Sequence, residues 1–351
     1  MKRKLWVFCL EYNKDSILVS HAYYWIRELS KYFDEITVVC VRANSIPHAR
    51  NVNVVELSGG SARNRIRALL RLIKITVEIF ISRKESVIFH HMLIQPLAIF
   101  GWLYRVFKVP QILWYSHSAK SMVLRIGYRF CNAVVSPSDN CFPLKNSKKV
   151  IGVGHGIPAA SFEKVWSNSQ RRDAIVVVGR ISRIKNIHLI VEAVSAYQVR
   201  SKQEVEIDLI GPILDYDYYE YLKKISTKLQ VKLQFMPAQN SEVIPSLLSK
   251  YRYSFNGNPQ TLDKSAVEAV LAGCFLLTEV EPALNLTGMK TVWSDLGLNK
   301  PALVQQLSIL QNFNQHKVEE LREQLFMIAK MNNDLAGTIE RIISVFKKIQ
   351  I

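Results

Sequence analysis

Short β-branched runs alternate with helix-period stretches along the whole chain, and this alternation limits the fold more than any single motif does. Runs at 5–10, 35–41, 53–57, 87–90, 111–115 and 132–136 read as strands. Between the first two, Ala22, Trp25, Ile26 and Leu29 mark the apolar face of a helix over 22–31. Strand–helix alternation of this kind specifies a parallel sheet covered on both faces. The pattern then restarts, with strands at 174–178, 206–210, 233–235, 253–255 and 275–278 and helices over 187–197 and 216–228. The break between the halves is Gly152-Val153-Gly154-His155-Gly156-Ile157-Pro158, where glycines and a proline crowd together. The expectation is an α/β chain of two doubly wound domains facing a cleft, 1–158 and 159–330. The tail reads as two amphipathic helices, 315–330 and 334–348, with 331–351 packing back on the first domain.

Charge divides the halves unequally. Residues 1–160 hold 23 Lys and Arg against 9 Asp and Glu, whereas the rest holds 23 against 20. The basic first half calls for an anionic partner such as a phospholipid surface, a nucleic acid or an anionic glycan. Within it, 61–84 has Ile66, Leu69, Leu70, Ile73, Val77 and Phe80 at helical spacing, with Arg63, Arg67, Arg71 and Lys74 on another face. Such a helix either lies in a membrane interface or turns its apolar face to the sheet. The apolar stretch 92–106 carries Gln95, Pro96 and Arg105. It falls short of the ~20 residues needed to span a bilayer and reads as a buried helix. The five cysteines (Cys9, Cys40, Cys131, Cys141, Cys274) form no CxxC pair, which suits reduced thiols in a cytosolic protein and no zinc site. Glu11 ends the apolar run that opens at Leu5, so that run reads as a first strand rather than a signal peptide.

Two blocks carry chemistry. In the first, the run Val176-Val177-Val178 ends at Gly179, Arg180 and Lys185 follow, and a helix opens near Ile187. Two cations in a loop after a strand suit a diphosphate. Arginine offers a two-pronged fork and lysine a point charge, and the helix start adds amides and the positive end of its dipole. Acting where negative charge develops on a leaving group, they would lower the barrier to its departure. The second block is Gln260-Thr261-Leu262-Asp263-Lys264-Ser265-Ala266-Val267-Glu268-Ala269, closing at Gly273. Glu268 is suited to accept hydrogen bonds from both hydroxyls of a ribose, and Lys264 adds a third cation. Asp215-Tyr216-Asp217 looks like a metal-binding DxD, but its place in an acidic, tyrosine-rich helix start marks it as surface.

These blocks and their spacing resemble the family-4 retaining glycosyltransferases, as do His155-Gly156-Ile157-Pro158 and the segment Leu113-Trp114-Tyr115-Ser116-His117. The resemblance runs over most of 85–280. It implies the GT-B fold, with two Rossmann-like domains, and transfer of a hexose from a nucleoside diphosphate sugar, UDP or GDP, with no cofactor and no metal. It implies that Arg180 and Lys185 hold the donor diphosphate and Glu268 the ribose. Gly179, Gly211 and the stretch Gln260, Thr261, Leu262, Asp263, Lys264 and Ser265 would contact the donor, and Phe235 and Pro237 would border the base. His117 matches the family's active-site histidine; His90 and His91 are weaker candidates on the acceptor side. Two departures stand out. Gln260 occupies the place of the family's first glutamate, so hydrogen bonding to a sugar hydroxyl survives while a fixed negative charge does not. Residues 11–16 lack the glycines the family often places after its first strand. The acceptor should meet the basic first half, and a lipid-linked or lipopolysaccharide-type saccharide of the cell envelope or capsule, at the inner face of the cytoplasmic membrane, fits that charge best. Two other readings stay open: a GT-B relative such as a sugar-nucleotide epimerase or a phosphorylase, and a basic nucleic-acid-binding protein. The second lacks a recognisable RNA-binding, helix-turn-helix or zinc motif.

Overall fold

The computed structural model describes residues 4–16, 20–57, 62–144, 147–167, 170–259 and 262–349, with the side chains of Ala62 and Arg63 left aside. The chain forms two compact units, one of Met1–Gly156 with Leu335–Ile351 and one of Ile157–Asp334.

Unit 1 runs β1 (Lys4–Tyr12), α1 (His21–Leu29), β2 (Glu35–Ala43), β3 (Val52–Glu56), α2 (Ala62–Ile81), β4 (Ser86–His91), α3 (Gln95–Val106), β5 (Gln111–Trp114), α4 (Met122–Phe130), β6 (Ala133–Ser136) and β7 (Val150–Gly152). Its strands form one parallel sheet in the order β3-β2-β1-β4-β5-β6-β7. Unit 2 runs β8 (Arg172–Val178), α5 (Ile187–Ser201), β9 (Glu206–Ile210), α6 (Tyr216–Lys228), β10 (Leu233–Met236), α7 (Ile244–Leu248), β11 (Tyr251–Asn256), α8 (Lys264–Leu271), β12 (Phe275–Thr278), α9 (Glu281–Thr287), α10 (Met289–Asp295), α11 (Leu303–Gln311) and α12 (Gln315–Asn333). Its parallel sheet has the order β10-β9-β8-β11-β12. The last helix, α13 (Leu335–Ile349), belongs to unit 1.

Strands buried on both faces explain the continuous apolar runs. In unit 1, Leu5, Val7, Ile36 and Val38 meet α1 and α13 on one face, with Trp25 and Phe346 in the same cluster. Trp6, Phe8, Val39 and Ile88 meet α2 and α3 on the other face. Leu113 and Val134 continue that second face under α4. All five cysteines are buried free thiols.

The outer helices of that second face depart from expectation. The residues of α2 that pack on the sheet are Ile75 and Ile79, with Ala68, Leu72 and Phe80 beside them. Of the six apolar residues read as one face, Ile66, Leu69, Leu70, Ile73 and Val77 are exposed, and Phe80 alone turns inward. The helix has two apolar faces, and the sheet takes the one made of smaller and later residues. The stretch 92–106 is likewise not a buried helix. Pro96, Leu97, Gly101 and Tyr104 of α3 are buried, but Ile99, Trp102 and Val106 face outward. Burying one Leu or Ile side chain is worth about 1.5–3 kcal/mol, so this layer forgoes a large stabilisation in unit 1 taken alone. Among the described residues no helix is long and apolar enough to cross a membrane.

Candidate active site

In an open parallel sheet, ligands sit beyond the carboxyl ends of the strands, where neighbouring connections depart in opposite directions. In unit 2 that place is β8, flanked by β9 on one side and β11 on the other. The loop after β8 carries Gly179, Arg180 and Lys185, and the loop after β11 carries Asp263.

Two contacts bind these loops and a third braces the second loop internally. Lys185 Nζ lies 2.6 Å from Asp263 Oδ2. Asn258 Nδ2 donates to the other carboxylate oxygen of Asp263 at 3.1 Å. Asn186 Nδ2 donates to the Gly257 carbonyl at 3.0 Å. Asn186 holds a left-handed conformation, φ 47°, at the entry to α5, which asparagine tolerates better than most residues. The lysine side chain folds back over the first loop, since a Cβ at Gly179 would lie 3.7 Å from Lys185 Nζ.

Gly211, after β9, serves the same loop in another way. A side chain there would fall onto the Gly179 carbonyl. The backbones also interlock: Gly179 N donates to Ile210 O at 2.9 Å and Ile181 N to Pro212 O at 2.9 Å. Close approach of two backbones needs a residue with no Cβ. The half-buried Arg180 follows directly, and its side chain has no hydrogen bond or ion pair among the described residues. Of the first amides of α5, His188 N is taken by Tyr218 Oη at 3.1 Å.

The second block opens α8. Asp263 stands at the N-cap, but its side chain makes no cap hydrogen bond; it is committed to Lys185 and Asn258 instead. Lys264, the first residue of α8, reaches Glu268 Oε1 one turn on at 2.7 Å, and Glu268 is buried. A cation at a helix N-terminus opposes the dipole, so Lys264 there suits an anion arriving at the same end. Leu262 is buried beneath, and Ser265 is half-buried. Gln260 and Thr261 lie outside the described residues. At the end of β10, Phe235 packs edge-on against Tyr219, ring centres 4.6 Å apart, and Pro237 is exposed. Asp215 accepts from the Tyr218 amide at 2.9 Å and caps α6, while Asp217 is exposed. Among the described residues no three His, Cys, Asp or Glu side chains are grouped to hold a metal ion.

In unit 1, His117 follows β5 by three residues and is half-buried. Its Nδ1 accepts from the Ala119 amide at 3.1 Å, so the neutral ring carries its proton on Nε2. His90 and His91 lie in the core instead. His90 stacks on Phe8 with ring centres 5.1 Å apart, and His91 meets Trp25 and Trp114. Burial drives the His90 ring down to about 3 and the His91 ring down to about 4, so both are neutral. Arg67, Arg71 and Lys74 lie exposed on α2; Arg71 donates to the Glu56 carbonyl at 2.6 Å and Lys74 approaches Glu78 at 3.9 Å. The described residues exclude the side chain of Arg63.

Sequence reading passed over Asn186, Gly257 and Asn258. An asparagine ahead of a helical pattern and the Asn256-Gly257-Asn258 turn were their available signals.

No family model and no curated protein matches this sequence. Solved structures do match its fold. Anabaena HepE in complex with UDP-glucose superposes with a TM-score of 0.71 at 14% identity, over 98% of this chain and 99% of its own. A glycosyltransferase from Rickettsia africae matches with a TM-score of 0.68 at 13% identity, over 99% and 98% of the two chains. An α,α-trehalose 6-phosphate synthase from Burkholderia multivorans gives 0.68 at 12%, over 99% of each. The two parallel Rossmann-like sheets therefore have the GT-B architecture.

Proposed function

We propose that this chain is a retaining glycosyltransferase that moves a hexose from a UDP or GDP sugar to a membrane-associated saccharide or lipid-linked acceptor. The observation that carries it is the gathering of Gly179, Arg180, Lys185 and Asp263 at the β8 switch point, with Lys264 and Glu268 opening the next helix. Arg180 and Lys185 hold the diphosphate and stabilise its charge as the glycosidic bond breaks. Glu268 exchanges Lys264 for the ribose hydroxyls. These fixed cations take the part of a divalent metal, and no cofactor beyond the sugar nucleotide is required. The acceptor hydroxyl attacks the anomeric carbon on the face from which the phosphate departs. The new C–O bond forms as the old one breaks, and the hydroxyl proton passes to the departing phosphate. The complexed donor of the structurally similar HepE, UDP-glucose, supports this class of substrate. The protein works as a peripheral enzyme at the inner face of the cytoplasmic membrane, in envelope or capsule polysaccharide synthesis, with α2 as the contacting element.

The test is a thermal-shift and calorimetric screen of UDP, GDP and ADP sugars. Arg180→Ala and Lys185→Ala each remove a charge-assisted contact worth about 1.5–3 kcal/mol, so each weakens donor binding roughly ten- to a hundredfold. Binding of no sugar nucleotide, or binding indifferent to both changes, overturns the proposal. Product formed from donor alone points to an epimerase.

A further inference from the structure

The helical layer over the β1–β4–β5 part of the unit 1 sheet combines exposed apolar side chains with an excess of cations. Helices α2, α3 and α4 lie side by side there. Thr76 on α2 meets Tyr104 on α3 at 2.9 Å, and Gly127 on α4 sits against Leu97 on α3, where a Cβ would come within 3.2 Å. Each helix presents large apolar side chains outward: Ile66 and Leu70 on α2, Trp102 and Val106 on α3, Met122 and Ile126 on α4. Trp102 is 49% exposed and Met122 70%. Over the same span, residues 62–130, there are 12 Lys and Arg against 2 Asp and Glu.

Beside α4 lies a groove of about 440 Å³ lined by Lys120, Arg125, Tyr128, Pro143 and Leu144. It has two cations and no carboxylate among these lining residues. The side chains of Lys120 and Arg125 make no hydrogen bond or ion pair among the described residues. The nearby Lys149 is already committed, donating to the carbonyls of Tyr128 and Cys131 at 3.2 and 2.9 Å and closing the end of α4. The groove thus offers two unpaired cations over an apolar and aromatic floor, at the rim of an apolar ridge. A phosphate attached to a hydrocarbon fits that arrangement.

We infer that the whole α2–α3–α4 face docks on an anionic phospholipid bilayer, with Lys120 and Arg125 seating a lipid phosphate in the groove beside α4. This deepens the membrane part of the function proposed above and does not depend on the donor chemistry. Charge decides the occupant. A second copy of this face would bring like charges together, and a nucleic acid would leave the apolar ridges in water. An anionic leaflet satisfies both features, because clustered cations bind its surface and apolar side chains enter its acyl boundary.

The experiment is co-sedimentation of the full chain, without nucleotide, with phosphatidylcholine vesicles and with vesicles containing phosphatidylglycerol. Each cation near an anionic leaflet contributes roughly fivefold in partitioning. Binding to the anionic vesicles should therefore exceed binding to the neutral ones at least tenfold. Lys120→Glu with Arg125→Glu should cut it at least tenfold, at an unchanged circular dichroism spectrum and melting temperature. Trp102 is exposed, while Trp6, Trp25, Trp114 and Trp293 are buried and Trp166 is half-buried in unit 2. A blue shift of emission on vesicle binding should vanish in Trp102→Phe, which itself still sediments. Three results overturn the proposal: no sedimentation with anionic vesicles, sedimentation indifferent to lipid charge and to the double reversal, or a dimer in solution that shields Trp102 without lipid. Loss of donor binding in Arg180→Ala with vesicle binding intact would separate the two readings. Inorganic phosphate that binds the groove while vesicles do not would assign it to a soluble anion and remove the lipid.

Discussion

In unit 2 two of the three cations of the candidate site are matched by carboxylates of the same site, Lys185 with Asp263 at 2.6 Å and Lys264 with Glu268 at 2.7 Å, while Arg180 has no such partner among the described residues. Farther out, Arg183 meets Asp215 and Arg172 meets Asp208. In unit 1, by contrast, Arg67, Lys120 and Arg125 meet no carboxylate among the described residues. Under the proposed function, the difference follows from what each unit would bind. A nucleoside diphosphate sugar is a small ligand with charge at fixed points, and groups that receive it gain from being held in place before it arrives. A bilayer presents diffuse charge with no fixed geometry, and unpaired surface cations on flexible stems suit it.

The sharpest way to break this contrast is to disturb the backbone that places the paired charges. Gly211→Ala drives a Cβ into the Gly179 carbonyl, and the loop carrying Arg180 and Lys185 must shift. Overpacking and steric conflict of this kind are expected to cost about 3 kcal/mol, read as a fall in the urea midpoint of unit 2 with loss of nucleotide binding. An unchanged midpoint would mean that the loop is adaptable and that its charges are not held in place in advance.

Unit 1 carries its own internal marker of order. His90 and His91 are neutral in the folded state, at about 3 and about 4, because burial opposes their charge. An unfolded histidine titrates near 6.5. Below that value the unfolded chain binds more protons than the folded one, so stability falls as pH falls, until the folded values are reached. Both contributions are complete above about pH 7. Between pH 7 and pH 5.5 the pair should lose about 2 kcal/mol, seen as lower hydrogen-exchange protection factors in β1 and β4, with the intrinsic slowing of exchange at lower pH divided out, and absent from unit 2. Replacing His90 by Phe, which preserves the stack on Phe8, should remove about half of that slope. A slope unaffected by His90→Phe would assign the acid sensitivity elsewhere.

The same contrast governs what could be read from the sequence. The strands were legible because burial on both faces leaves uninterrupted β-branched runs, such as 174–178, and the break at Gly152–Pro158 stood out for its glycines. The three-residue β7 was too short to register, and α9 to α11 escaped because they run only seven, seven and nine residues, too short to show a helical period clearly. The charges of the candidate site were legible because they sit at fixed spacing behind a glycine. Their pairing was not, since Lys185 and Asp263 are brought together by the order of β8 and β11. The α2 helix shows the limit most plainly. Ile66, Leu70, Ile73 and Val77 follow helical spacing, and so do Ala68, Leu72, Ile75 and Ile79. Periodicity identifies an apolar face, but with two faces available the neighbouring sheet decides which is buried.

The smallest effect tests the paired charges most directly. Lys185 and Asp263 are both largely sheltered, 13% and 15% exposed, and in direct contact. A diphosphate approaching Lys185 therefore also meets the carboxylate. Two unit charges about 5 Å apart interact by about 3 kcal/mol at an effective dielectric near 20. Part of any gain from removing that repulsion is lost because Lys185 becomes freer to move. In Asp263→Asn the side-chain carbonyl can still accept from Asn258, while the charge is gone. UDP or GDP should then bind about fivefold more tightly, equivalent to about 1 kcal/mol. Asp263→Ala, which lacks both the charge and the acceptor for Asn258, should gain less. Calorimetric titration of the three proteins at one ionic strength decides the matter. Equally weakened binding in Asn and Ala variants would show that Asp263 acts chiefly by fixing Lys185, and that electrostatic competition at this site is outweighed by preorganisation.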